Sequence, residues 1–335
     1  MWIPAKGYHR NALARVLKIF FHDACFDGTT SAALFAAFYR DTYDKAVEVR
    51  PVGMVHRDGN PFDGVPLDAD DHACVDFRFC ADPRMKWWFD HHPTAFQPPV
   101  LRDVFEREHQ TTWYFDPKAP SCAGFMARVL TARYAWRPPP HLVDAVAWAD
   151  KIDAAKFESA EAAVALDVPA QRLAAWLAHG RSALDTTHYV DWLSRASLAE
   201  VAERPAVKAQ LAMIEAERAK ELDAIKRLGV WHDDVIVFDR FDDLGARSPG
   251  FLGYLLFPRS LYAVTGTRTP SSIKITVGVN PWTTGTRRGD IDIGALCARH
   301  GGGGHAVVGG VTLRGDELAR ARATMTELVA ELTAT

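Results

Sequence analysis

The first half of the chain alternates short, β-rich apolar runs with stretches of helical period, the signature of an α/β domain on a mostly parallel sheet. Strands are expected near Val16–His22, Val47–His56, Ala73–Phe79 and Lys86–Phe89. Between the first two, the stretch Thr30–Tyr43 places Leu34, Phe35 and Phe38 on a helical stripe. Ser121–Ala135 and His141–Ala155 read as further helices, the second introduced by Pro138, Pro139 and Pro140, which cannot continue a preceding helix. From Pro205 to Leu228, Leu211, Ile214, Leu222, Ile225 and Leu228 recur at helical spacing among many charges, which predicts a long amphipathic connector with Gly229 at its C-cap. Strand texture then returns at Val235–Phe238, Leu261–Thr265 and Ile273–Val279, interleaved with helical segments. The pattern divides the chain into residues 1–195, a helical linker 196–229, and a smaller α/β domain 230–335.

Composition narrows the class. The chain has 335 residues, 48% of them hydrophobic, enough at roughly 100–200 residues per domain for two self-sufficient cores. Its 39 Lys+Arg and 42 Asp+Glu leave a net charge of -3, without the basic excess of a surface that coats long nucleic acid. Cys25, Cys74, Cys80, Cys122 and Cys297 are scattered and odd in number, unlike a disulfide framework or a zinc ribbon, so a reducing cytoplasm is expected. The apolar run Val16–Phe21 falls far short of the ~20 residues that span a bilayer, so neither a membrane partner nor a signal peptide is expected.

Four polar clusters stand at predicted strand ends or on a helix, where open α/β sheets place their sites. The first is His22, Asp23, Cys25, Asp27 and Gly28, directly after an apolar strand. The second is Asp76, a carboxylate in the apolar run Ala73–Phe77, which must be paired, ligated or at the strand's end. The third is Asp90-His91-His92 after Trp87-Trp88-Phe89, an acid and two imidazoles suited to metal and phosphate. The fourth is Asp150 and Asp153, three residues apart on one helical face. Taken singly, His22 also reads as a core histidine, Asp27 as a turn residue, Asp76 as a strand-end acid bonded to backbone, and Asp150 with Asp153 as a solvated face. Together the donors suit Mn²⁺ or Mg²⁺ better than a closed zinc site.

Asp90-His91-His92, combined with His305 in Gly301-Gly302-Gly303-Gly304-His305, resembles the DHH phosphoesterase superfamily, in the subfamily with a DHHA1-type second domain. The ordered set His-x-x-Cys-x-Asp-Gly, strand Asp, Asp-His-His, later Asp, and GGGGH extends over residues 22–305. The resemblance implies a parallel-sheet DHH domain joined by a helical linker to the DHHA1-type domain, with the active site in the interdomain cleft. It implies two ions, usually Mn²⁺, with Mg²⁺ or Co²⁺ as alternatives. His22, Asp27, Asp76, His91 and Asp150 match its ligand positions, with Asp76 bridging and Asp153 placed behind Asp150. Asp90 would orient the ligand histidine and His92 would face the phosphate, making His92, Asp90 and His91 the catalytic group. One departure stands out, because Cys25 occupies a position where many members carry Asp. Three readings of the site stay open: a thiolate ligand, substitution by Asp23, or a loosely held ion, and Cys25 itself reads equally as a small buried apolar residue.

Two cations roughly 3.5–4 Å apart activate water for in-line attack on phosphorus. Gly302, Gly303 and Gly304 expose backbone N–H groups for an anion, with His305 as an added donor, and the run reads alternatively as a linker. Arg287 and Arg288 either grip a second phosphate or are solvated surface, and Lys274 is a weaker candidate of the same kind. The expected reaction is hydrolysis of phosphodiester bonds in short oligonucleotides or dinucleotides. Phosphomonoester hydrolysis on a nucleotide 3',5'-bisphosphate, or nucleotide sensing without turnover, are the alternatives. No stable complex with long nucleic acid is expected, and a homodimer is left open.

Overall fold

The computed structural model describes residues 15–57, 59–108, 110–179, 183–283 and 291–334. The chain begins with β1 (Val16–His22), α1 (Phe26–Thr42), β2 (Glu48–Met54), β3 (Asp71–Val75), β4 (Met85–Asp90), α2 (Val100–Glu108) and β5 (Trp113–Phe115). Helices α3 (Cys122–Tyr134), α4 (Pro140–Asp153), α5 (Ala160–Val164), α6 (Pro169–Ala178), α7 (Ala183–Leu193) and α8 (Leu198–Ala202) follow. The long α9 (Pro205–Leu228) leads to β6 (Val230–His232), β7 (Val235–Arg240), α10 (Phe251–Leu256), β8 (Tyr262–Arg268) and β9 (Ser272–Val279). The chain closes with α11 (Ile293–Arg299), β10 (Gly303–His305), β11 (Val308–Arg314) and α12 (Leu318–Thr333).

The first sheet is parallel throughout, in the order β2-β1-β3-β4-β5. Both faces are covered, so β1 reads as an unbroken apolar run rather than an alternation. Leu17, Ile19 and Phe21 enter one core cluster with Val75 and Phe89, while Phe20 enters the opposite one with Cys74 and Trp88. Helix α1 is buried from Phe26 to Tyr39 and carries alanines among its aromatics, and α3, α4 and α7 pack against it. An all-round apolar helix belongs inside a fold. All strand carboxyl ends therefore open on one edge, and the donor-bearing turns after β1, β3 and β4 emerge there.

The second sheet runs β10-β11-β9-β8-β7-β6 and is antiparallel except between β7 and β8. Strand β9 alternates, with Ile273, Ile275 and Val277 in the core and Lys274, Thr276 and Gly278 on the other face. Helix α9 ends where the periodicity predicts, but Gly229 has φ -66° rather than a left-handed cap. Its missing side chain has another use, since a Cβ there would strike the Phe257 ring. No helix among the described residues is long and apolar enough to cross a membrane.

One boundary matters for the site. Strand β3 stops at Val75 instead of continuing to Phe79, and Asp76 turns the chain with φ +53° while its N–H donates to the Phe89 carbonyl at 2.9 Å. Aspartate is among the residues that tolerate this left-handed conformation. The carboxylate thus leaves the sheet at its rim.

Candidate metal centre

The turn after β1 sets the first donors. Ala24 takes φ +56°, Cys25 becomes the N-cap of α1, and Asp27 falls in that helix's first turn. A Cβ on Gly28 would collide with the His22 carbonyl and lie 3.1 Å from Asp76 Oδ2, so glycine alone lets α1 start this close to the rim. Asp27 is buried and serves as a clamp: its oxygens accept from the Cys122 N–H at 2.6 Å and the Ala123 N–H at 2.9 Å, at the start of α3. A helix N-terminus favours an ionised carboxylate.

From β4, Asp90 and His91 enter almost fully buried. His91 Nδ1 lies 2.9 Å from the Ala119 carbonyl oxygen, which turns Nε2 inward, 3.5 Å from Asp27 Oδ2, 3.5 Å from Asp76 Oδ1 and 3.4 Å from Asp153 Oδ2. Asp90 Oδ1 accepts from the His91 N–H at 2.7 Å and sits 2.7 Å from His92 Nδ1. Asp90 therefore orients the ring of His92, whereas a backbone carbonyl orients His91, reversing the expectation that Asp90 steers the ligand histidine.

The two acids of α4 separate despite sharing a helical face. Asp150 accepts from the Ser121 hydroxyl at 2.6 Å and fills the space left by Gly124, and it stands outside the grouped donors. Asp153 joins Asp27 and His91, with ligand atoms all within 4.8 Å of one another. Asp153, expected as the weaker candidate, thus stands with the grouped donors, while the Ser121 bond holds Asp150, the expected ligand, against α3. A second group comprises His22, Cys25 and Asp76 within the same limit, and His22 Nδ1 is 3.7 Å from Asp76 Oδ2. Asp23 is directed elsewhere, its Oδ1 accepting from the Ala24 N–H at 2.7 Å and its side chain lying against Gly53.

The second sheet closes over this rim. His305 packs its ring 4.7 Å from His92 and 5.0 Å from His91, centroid to centroid. The Gly304 N–H donates to Thr94 Oγ1 at 3.2 Å and Gln97 Nε2 donates to the Gly302 carbonyl at 3.1 Å. A Cβ on Gly303 would come 2.8 Å from Thr94 Oγ1, so the glycines here permit close approach to the first domain. Arg287 and Arg288 lie outside the described residues.

Electrostatics show what the donors are suited to hold. Asp76 has both oxygens buried without a hydrogen-bond partner, as do His22 Nδ1, His91 Nε2, Asp90 Oδ2 and His305 Nε2. Burial and the charges of Asp76 and Asp153 push the Asp27 carboxyl well up. Burial draws His91 down, but Asp76, Asp27 and Asp153 outweigh it and push the imidazole up to about 11. His92 is likewise carried up to about 9, chiefly by Asp90 against the pull of burial. Burial raises Asp76, yet His22, His91 and His92 bring it below the usual carboxylate range. His305 is lowered to about 3 by burial and then by His92 and His91. Protons on His91 and His92 supply positive charge to a pocket of converging acids, and a buried carboxylate left unpaired costs several kcal/mol. Divalent cations fit this donor set, since they meet that charge directly and use the unpartnered atoms.

Two further residues reach the cleft. His56, just beyond β2, stacks on Phe77 at 4.7 Å and meets His22 edge-on at 4.9 Å. Burial and the neighbouring charges of His22, Arg78, His92 and Lys274 hold its ring well below the ordinary histidine value. Lys274 lies on the face of β9 opposite the core, within electrostatic reach of Cys25, and desolvation of its amine lowers its pKa. Nothing in the local sequence marks His56, whose partners come from β1 and the turn after β3.

No family model matches the chain, and no curated protein matches it. Solved structures do. A pGpG-specific phosphodiesterase, PggH of Vibrio cholerae, aligns with TM-score 0.60 and 20% identity over 94% of this chain and 99% of its own. RecJ of Thermus thermophilus aligns in its Mg²⁺ complex with TM-score 0.52 and 14% identity, over 96% of this chain and 50% of RecJ. Its Mn²⁺ complex gives TM-score 0.52 and 15% identity over 96% and 52%. At these identities the likeness is one of fold, and the chain has the two-part α/β fold that these phosphodiesterase and RecJ structures share.

Proposed function

We propose that this chain is a divalent-metal-dependent phosphodiesterase of the DHH type, acting on dinucleotides or very short oligonucleotides. One observation carries the reading: buried, unpartnered donors from the turns after three neighbouring strands, β1, β3 and β4, converge at a single rim, opposite His305. Asp27, His91 and Asp153 are assigned to one ion, His22 and Asp76 to another, with Asp76 facing both groups. Mn²⁺ is the expected occupant of the oxygen-rich position, consistent with a fold found with Mg²⁺ or Mn²⁺ in RecJ. Bound cations would supply Lewis acidity and lower the pKa of water.

The chain's own residues do the rest. In hydrolysis, water adds to phosphorus, the P–O bond to one nucleoside breaks, and the departing oxygen takes up a proton. His92, held through Nδ1 by Asp90, whose charge favours the protonated ring against the pull of burial, leaves Nε2 to donate to a phosphoryl oxygen. His305 lies over both imidazoles and restricts water at that side of the rim. Thr94 and Gln97 fix the glycine strand that carries it. A two-walled cleft of this kind suits a short substrate with a scissile phosphate and one further nucleotide, and PggH is named for such a dinucleotide.

The test is turnover by the purified full chain with Mn²⁺ on a 5'-phosphorylated dinucleotide, with products identified. Release of two mononucleotides, abolished by His91→Ala, is the expected result. Phosphate release from a nucleotide 3',5'-bisphosphate without diester cleavage would select a phosphomonoesterase. Tight nucleotide binding without turnover, both ions loaded, would select a sensor.

A further inference from the structure

The two halves of the centre differ in donor chemistry. Asp27, His91 and Asp153 offer two carboxylates and an imidazole, while His22, Cys25 and Asp76 offer an imidazole, a sulfur and a carboxylate. We propose that Cys25 is a metal ligand and that it makes the centre a mixed one: a thiophilic ion of the zinc class on His22, Cys25 and Asp76 beside a manganese-class ion on the oxygen-rich group. The inference rests on the two-ion reading above and adds the identity of the ions.

Position argues for the sulfur as a ligand. Cys25 is the N-cap of a seventeen-residue helix, a place where Ser, Thr, Asp or Asn normally bonds the exposed backbone N–H groups, and its side chain makes no cap bond of regular geometry. An aspartate there would cap the helix and ligate through oxygen. Cysteine caps only weakly, through the Gly28 N–H, and its sulfur falls within 4.8 Å of the donor atoms of His22 and Asp76. Those partners are independently prepared for a cation: Asp76 is 1% exposed with neither oxygen partnered, and His22 Nδ1 is buried without a partner. Asp23, the other acid in the turn before Cys25, is held against Gly53. The Gly28 close approach draws the helix start, and Cys25 with it, onto these two side chains.

Chemistry then selects the ion. Thiolate and imidazole favour zinc and similar ions, whereas carboxylate-rich sites suit Mn²⁺ and Mg²⁺. Three protein donors with a remaining open position is the pattern of catalytic rather than structural zinc. The other sulfur near the rim, Cys122, is fully buried, with its Sγ 3.4 Å from the Phe89 carbonyl oxygen, and its group is not among the clustered donors.

Cobalt reports sulfur ligation directly. Metal-free full-length protein loaded with two equivalents of Co²⁺ is expected to show a near-ultraviolet sulfur-to-cobalt charge-transfer band. The band should vanish in Cys25→Asp and Cys25→Ser and persist in Cys122→Ala. In chelator-buffered Zn²⁺ with Mn²⁺ in large excess, so that only a thiophilic site keeps zinc, elemental analysis should find one zinc and one manganese per wild-type chain, with zinc at least tenfold depleted in Cys25→Asp. Circular dichroism identifies any variant that fails to fold, and the wild-type band and metal ratio stand without the variants. A wild-type protein with two cobalt ions and no such band, or an unchanged zinc-to-manganese ratio in folded Cys25→Asp, overturns the proposal. The band without hydrolysis would reject the phosphodiesterase reading alone, and hydrolysis from a two-manganese centre would reject this one alone.

Discussion

At the carboxyl edge of the first sheet, Asp76, His22 and His91 keep buried atoms without a partner, and four acids crowd around three imidazoles. On the second sheet, polar groups of the facing strands are largely engaged: Thr276 with Ser248, Thr267 with the Lys274 carbonyl, and Asn280 with the Ser260 carbonyl. The difference follows from topology. A parallel sheet sends every strand end to one rim, so three turns deliver donors to one place. An antiparallel sheet sends neighbouring ends in opposite directions and brings few together. On the proposed reading the first sheet holds the chemistry, and the second contributes a cover, chiefly His305. Each prediction below probes that division of labour.

The largest effect belongs to the shared ligand group. His91→Ala and Asp76→Asn should each lower kcat about a thousandfold, the equivalent of roughly 4 kcal/mol of transition-state stabilisation. Steady-state rates on a dinucleotide check it, and a loss below tenfold would contradict the assignment. Next comes the paired comparison on α4. Asp153→Asn should cost at least tenfold more activity than Asp150→Asn, whose main effect is loss of the Ser121 bond, worth about 1 kcal/mol in thermal unfolding. Equal losses would return Asp150 to the ligand set. Asp90→Asn releases the ring of His92 and should lower kcat by about 10- to 100-fold with less change in KM.

A pH effect follows from the proton economy of the rim. His91 and His92 are raised above the ordinary histidine value of about 6.5. Their contribution to metal-free stability is complete below that value and is lost as pH rises through about 9 for His92 and about 11 for His91. The Tm of the metal-free protein should thus fall as pH is taken from 6 to above about 9, while the metal-loaded protein falls less because cations replace the protons. A metal-free Tm that rises across that window would contradict the account. The smallest effect is on the covering side: Thr94→Ala removes one hydrogen bond to Gly304, worth about 1 kcal/mol, and should raise KM several-fold with kcat nearly kept. A large fall in kcat there would give the second sheet a share in the chemistry.

Much of this is legible in the sequence because parallel α/β folds write their sites as short contiguous motifs directly after apolar strands. His22 to Gly28 and Asp90 to His92 are such motifs, and their strands lie where the pattern of apolar residues predicts. Asp153 is harder to read. Two acids three residues apart share a helical face, and only the packing of Ser121 and Gly124 on α3 decides which one points to the rim. His56 carries no local signal either, since Phe77 and His22 give it its surroundings across the fold. The composition of the glycine run suggests an anion cradle, whereas on the first-sheet side it bonds to Thr94 and Gln97, far away in sequence. Contacts of that kind depend on how the second sheet is seated, which the residues around the run do not encode.

The most direct measurement is anomalous scattering at the manganese edge from crystals of the full chain grown with Mn²⁺. The account predicts strong density within ligand distance of Asp27, His91 and Asp153, and a second ion flanking Asp76 on the side of His22. Carboxylates still unpartnered at the rim, with manganese absent or bound only elsewhere, would contradict it.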